Sequence, residues 1–111
     1  MKPASRAYSR QASEAARLLG MLIHNARVER RMSIEELAER ADVSRGLVYR
    51  AEAGDPGCSI GAVFELASIV GVRLFDAEPA ALALHLAHAE KTLALLPRAA
   101  RRSKTEVQDD F

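Results

Sequence analysis

The sequence has no tryptophan, only two tyrosines and three phenylalanines, and a single cysteine among its 111 residues. So few aromatics, beside an apolar share dominated by alanine and leucine, favour a small helical bundle over a sheet. Cys58 stands alone, which excludes an intramolecular disulfide and fits a reducing compartment. No apolar run approaches the roughly 20 residues needed to span a bilayer. The charged N-terminus is followed by no apolar stretch of the signal-peptide kind, so a cytoplasmic protein is expected. Also missing are a glycine-rich phosphate loop, a nucleophile elbow and a paired acidic motif. Nothing points to catalysis, and no cofactor is expected. His85 and His88 lie one turn apart, but His24 is distant and no carboxylate or cysteine cluster joins them. They read as solvated histidines, with no metal site.

Charge is unevenly spread. Residues 1–54 carry ten Lys/Arg against seven Asp/Glu, residues 55–97 carry two against five, and the remaining tail carries four against three. A basic front and an acidic rear fit a nucleic-acid face opposite a protein-contact face.

What is present is a dense run of helix signals from Met32 to Gly54, MSIEELAERADVSRGLVYRAEAG. Ser33 is a natural N-cap, and Glu36 three residues later completes a capping box. Leu37, Ala38 and Ala41 form one apolar face, with Glu35, Glu39 and Arg40 on the other. Asp42 breaks the pattern, Val43 turns inward, and Ser44 caps a second helix that runs to about Ala53 and stops at Gly54. This helix buries only a thin stripe, Val48, Ala51 and part of Leu47. Arg45, Gly46, Tyr49 and Arg50 are left facing solvent, a surface that suits a DNA major groove. A plain helical hairpin within a bundle is the alternative.

The stretch resembles the helix-turn-helix of the Xre (lambda-Cro/C1-type) repressors, whose pattern is roughly T-Q-x-x-L-A-x-x-x-G-V-S-x-x-x-I-S-x-x-E-x-G. It matches at Ser33, Leu37, Ala38, Val43, Ser44, Val48, Glu52 and Gly54. It departs at Ile34, where the family often has a phosphate-touching glutamine, and at Asp42, where it prefers glycine in the turn. The resemblance covers about residues 16–75. It implies an ion pair between Arg27 and Glu52, a structural clamp between the first and third helices.

Residues 1–12 read as a flexible basic arm. Lys2, Arg6 and Arg10 are candidates for phosphate or minor-groove contact, although simple disorder would look the same. From Ser13, the expected cap, Leu18, Leu19, Leu22, Ile23, Ala26 and Val28 recur as the buried face of a first helix that frays near Arg30–Arg31. Asp55-Pro56-Gly57 is turn chemistry. Ser59 then caps a fourth, very apolar helix that Gly71 closes. Residues 72–75 read either as a short strand pairing with its copy in a second subunit or as a buried connector. The last helix, from about Pro79 to Leu96, carries a heptad-like stripe of Leu82, Leu86, Ala89, Leu93 and Leu96. Leu84 and Leu95 lie off that stripe, so one face can pack on the domain and the other on a second chain.

The end of the chain, RAARRSKTEVQDDF, is basic first and acidic last, and it is expected to be disordered when free. With the helix before it, this end resembles the HipB-type antitoxins at Leu95, Leu96, Pro97, Arg98, Arg101, Arg102, Asp109, Asp110 and Phe111. That resemblance implies a HipA-like Ser/Thr kinase toxin as partner, docked through Arg98, Arg101, Arg102, Asp109, Asp110 and Phe111. A solubilising extension is the other reading.

The expectation is therefore an all-α, five-helix, lambda-repressor-like fold. Its parts are an arm over 1–12, a helix-turn-helix domain over 13–75, a dimerisation helix over 76–97 and a tail over 98–111. A homodimer would read a near-palindromic operator and associate with the nucleoid. Arg45 and Arg50 would contact guanines, Tyr49 a sugar or thymine methyl, and Ser33 and Ser44 phosphates, with Gly46 on the same face. The chain is expected to be no enzyme and to have no membrane partner. The alternatives are a protein-interaction module that keeps the fold without reading DNA, and a stand-alone Xre regulator without a toxin.

Overall fold

Serine opens, and a residue in the left-handed region closes, each of the first four helices. The computed structural model describes residues 7–97. Its helices are α1 (Arg10–Glu29), α2 (Ile34–Ala41), α3 (Arg45–Glu52), α4 (Ile60–Ile69) and α5 (Pro79–Leu95), with one 3-10 turn at Leu74–Asp76. The chain forms two units, one ending at Leu74 and the other beginning at Phe75.

In the first unit, Ser9, Ser33, Ser44 and Ser59 are extended N-caps. Their hydroxyl oxygens accept the N–H of Ala12, Glu36, Leu47 and Ala62 at 3.1, 3.0, 3.0 and 3.4 Å. Each such cap stabilises its helix by about 1 kcal/mol. At the far ends, Arg31, Asp42, Gly54 and Gly71 take φ of 54°, 58°, 82° and 83°. That turn lets Met32, Val43, Asp55 and Val72 donate back to the carbonyls of Arg27, Ala38, Arg50 and Ala67, the Schellman pattern. Gly54 and Gly71 adopt it without steric cost, whereas Arg31 and Asp42 each bear about 1–2 kcal/mol. Asp42 thus makes the turn that glycine makes in the Xre pattern.

Two details at helix starts differ from expectation. α1 begins at Arg10 under Ser9, not under Ser13, so residues 10–12 of the expected arm are helical. Arg10 stands 3.8 Å from Glu14 on the exposed side of that first turn, while Lys2 and Arg6 lie outside the described residues. In α2 the capping box is half made: Ser33 caps, but the Glu36 carboxylate is taken by Arg40 at 2.8 Å.

The core draws on all four helices. Ile23, Leu37, Val48, Leu66 and Val70 are fully buried, joined by Met32, Ala38, Ala51 and Ala67. The face that α1 buries is the expected one only in part, with Leu19 and Ala26 half-buried against the core beside Ile23. Gly20 and Ile23 are inside, while Leu18, Leu22 and Val28 are 59%, 43% and 52% exposed. The reason is a backbone crossing. A Cβ at Gly20 would lie 2.3 Å from the Ala51 carbonyl oxygen and 2.9 Å from that of Glu52, so α1 meets the end of α3 there without an intervening side chain. Leu18 and Leu22, two residues to either side, fall about 200° round the helix and face outward.

No strand forms at 72–75; the described residues contain none. Phe75 and Asp76 have φ of 55° and 53°, which extended pairing does not allow, and Val72 and Leu74 are half-buried against the core. In the second unit, Pro79 begins α5 at a position where no N–H is required. No residue of α5 is buried, and Leu84, Leu86, Leu93 and Leu95 are exposed. No helix among the described residues is long and apolar enough to cross a membrane.

The crossing gives a direct test. Gly20→Ala should lower stability by about 3 kcal/mol or more, because the added methyl meets backbone rather than a movable side chain. Gly61→Ala, with nothing within 4 Å, should leave stability unchanged or raise it by up to about 1 kcal/mol. Equal urea midpoints for the two variants would contradict the crossing.

Candidate nucleic-acid interface

α3 has one side committed to the core and one side bare. Val48 and Ala51 are buried and Leu47 is half-buried. Arg45, Gly46, Tyr49 and Arg50 lie one, four and five positions apart, on the same side of the helix, and all are exposed. Tyr49 is 62% exposed, high for an aromatic on a small domain. The Arg45 side chain makes no hydrogen bond or ion pair among the described residues. The Arg50 guanidinium has Nε 3.9 Å from Asp55 Oδ2, and its Nη1 lies 3.5 Å from where a Gly46 Cβ would stand. Asp55 is itself held, because its Oδ1 accepts the Gly57 N–H at 2.8 Å.

Ser33 and Ser44 are exposed at the first turns of α2 and α3. Each hydroxyl accepts a capping bond, which leaves its own O–H to donate to a phosphate oxygen. Two guanidinium groups, a phenol, a bare glycine backbone and hydroxyl donors are the chemistry that reads base edges and holds phosphates. Arg98, Arg101, Arg102, Asp109, Asp110 and Phe111 lie outside the described residues.

What fixes α3 in place is a charged cluster at its C-terminus. Arg27 donates to Glu52 twice, from Nε to Oε2 at 2.6 Å and from Nη2 to Oε1 at 3.1 Å. Its Nη1 donates to the Met32 carbonyl at 2.8 Å, and His24 Nδ1 lies 2.8 Å from Glu52 Oε1. One guanidinium therefore ties α1, the segment entering α2 and the end of α3. The Arg27 and Glu52 side chains are only 11% and 8% exposed. The His24 contact was missed in the sequence, although its place one turn before Arg27 puts it on the same face of α1.

The hydrogen bond to Glu52 raises the Arg27 pKa; burial lowers it, and the charge of Glu52 again favours the cation. For Glu52, burial pushes the carboxyl up, but hydrogen bonds from Arg27 and His24 and their charges outweigh it, and the net shift is downward. A depressed carboxyl contributes stability that is complete above its unfolded value, near 4.3, and lost as pH falls through the lower folded value. Arg27→Met leaves a buried carboxylate without its main partner and should cost about 3 kcal/mol at neutral pH. Burial then raises the Glu52 pKa, so the variant should recover relative stability in acid. Urea denaturation at a series of pH values should show the gap narrowing from pH 7 towards 4; a constant gap would contradict the clamp.

Residues 18–82, more than half of the chain, match the profile of a helix-turn-helix domain. No curated protein and no solved structure matches the chain. The matched span contains α2, the Asp42 turn and α3, together with the α1 and α4 residues that bury them. The chain belongs to the helix-turn-helix domain family, in its Xre-like form, and carries the fold of a DNA-binding regulator.

Proposed function

We propose that this protein is a sequence-specific transcriptional repressor whose α3 enters the major groove, and that it is the antitoxin of a HipBA-like operon. The observation that carries the DNA reading is the contrast on α3: a clamped, buried inner side and an outer side that presents Arg45, Gly46, Tyr49 and Arg50 to solvent. Arg45 and Arg50 contact guanine O6 and N7, and Tyr49 packs on a sugar or a thymine methyl. Ser33 and Ser44 hold phosphates. Gly46 lets the duplex approach the helix backbone.

The protein acts as a homodimer joined through the second unit. α5 supports this reading because none of its residues is buried and its leucines repeat at heptad spacing. A two-fold pair of α3 helices about 34 Å apart requires a near-palindromic operator. The antitoxin assignment follows the resemblance of Leu95–Pro97 and the charged tail to HipB-type chains, and the partner is a HipA-like kinase docked on that tail.

Anisotropy titrations against a duplex selected by the full chain from a randomised pool, with a scrambled duplex as control, test the reading. Arg50→Ala should weaken operator binding by about 1–3 kcal/mol and scrambled binding by much less. Gly46→Ala should fold at least as well, since its Cβ makes only ordinary contact, yet bind the operator more weakly. Equal losses on both duplexes would remove Arg50 from base reading. Deleting 98–111 should weaken kinase binding and spare DNA binding; unchanged kinase binding would rule out docking on the tail, and the lack of any kinase partner would leave a stand-alone regulator.

A further inference from the structure

Asp55 is an acidic residue beside Arg50, on the side of α3 that also presents Arg45, a costly place for a carboxylate if the surface meets phosphates. It is also firmly placed. Its N–H donates to the Arg50 carbonyl at 3.0 Å as the last bond of the α3 end, and its Oδ1 accepts the Gly57 N–H at 2.8 Å. These two bonds direct Oδ2 towards Arg50, 3.9 Å from Nε. On the other side of the guanidinium, Nη1 lies over Gly46, where no side chain intervenes. The long Arg50 side chain thus runs between a fixed carboxylate and bare helix backbone.

We infer that Asp55 is a positioning residue for Arg50 and sets the selectivity of the α3 surface for its DNA sequence. This rests on the reading that Arg50 contacts base edges. Two physical effects follow from the geometry. The carboxylate biases a flexible arginine towards one conformer, so less rotamer freedom is lost when Nη1 and Nη2 meet a guanine. It also offsets the arginine charge, so a phosphate, which Asp55 repels, gains little from Arg50. A guanine edge, being uncharged, gains the hydrogen bonds without that repulsion. Asp55 weakens indiscriminate binding more than it weakens correct binding.

Asp55→Asn tests this with little disturbance, because an asparagine Oδ1 still accepts the Gly57 N–H and the substitution removes only the charge. Binding to the scrambled duplex should tighten about fivefold at low salt, the scale of one charge pair near 4 Å at the surface. Operator binding should tighten less, so discrimination falls, and the salt dependence on scrambled DNA should steepen by up to about one released counterion. The effect on discrimination should vanish when Arg50→Ala is already present. Loss of discrimination of the same size in the Arg50→Ala background would overturn the inference, as would Asp55→Asn changing both duplexes equally. If Arg50→Ala alone leaves discrimination intact, the base-reading assignment itself fails and the role of Asp55 goes with it. Matching thermal midpoints for Asp55→Asn and the wild type separate these outcomes from a folding defect.

Discussion

The carboxylate of Glu52 is almost out of water, and Arg27 and His24 converge on its two oxygens. A charge so placed is tolerable only while its partners stay. Arg27 belongs to α1 and also holds the Met32 carbonyl, so moving α3 away from α1 would expose three polar groups at once. The ion pair is weak evidence for net stability, because burying both charges is itself expensive. Its effect is on geometry: a short helix with a thin apolar stripe has few other reasons to keep one orientation. The close approach at Gly20 fixes the same junction sterically, and the two constraints sit one and two turns apart on α1.

From that junction the outer surface of α3 follows. Val48 and Ala51 turn inward under the clamp, and the helical period then leaves Arg45, Gly46, Tyr49 and Arg50 together on the far side. The Schellman end after Ala53 carries Asp55 back to Arg50, so a device that closes the helix also places a carboxylate beside a guanidinium. The same loop thus both terminates α3 and sets the charge beside Arg50.

Much of this was legible in the sequence because the signals are local. Ser33, Ser44 and Ser59 announce their helices through short-range hydrogen bonds, and Gly54 and Gly71 mark where helices stop. The outward residues of α3 followed from periodicity, and the Arg27–Glu52 relationship from the resemblance to Xre domains. Long-range effects were harder to see. The rotation of α1 is set by its crossing with α3 at Gly20, so Leu19, Ile23 and Ala26 of the expected stripe face the core while Leu18, Leu22 and Val28 turn outward. Ser9 and Ser13 are equally good caps in isolation, and only the folded chain selects the earlier one. The strand at 72–75 failed because Phe75 takes a left-handed conformation that side-chain hydrophobicity does not encode.

The most direct measurement is an amide chemical-shift map of the isotope-labelled full chain during titration with its selected duplex. Shifts concentrated on Ser33 and on residues 44–50, with Arg45 and Arg50 side-chain signals moving together, are the predicted result. A map centred on the outer face of α1 or on α5, with α3 unmoved, would contradict the assignment of α3 as the DNA-reading element.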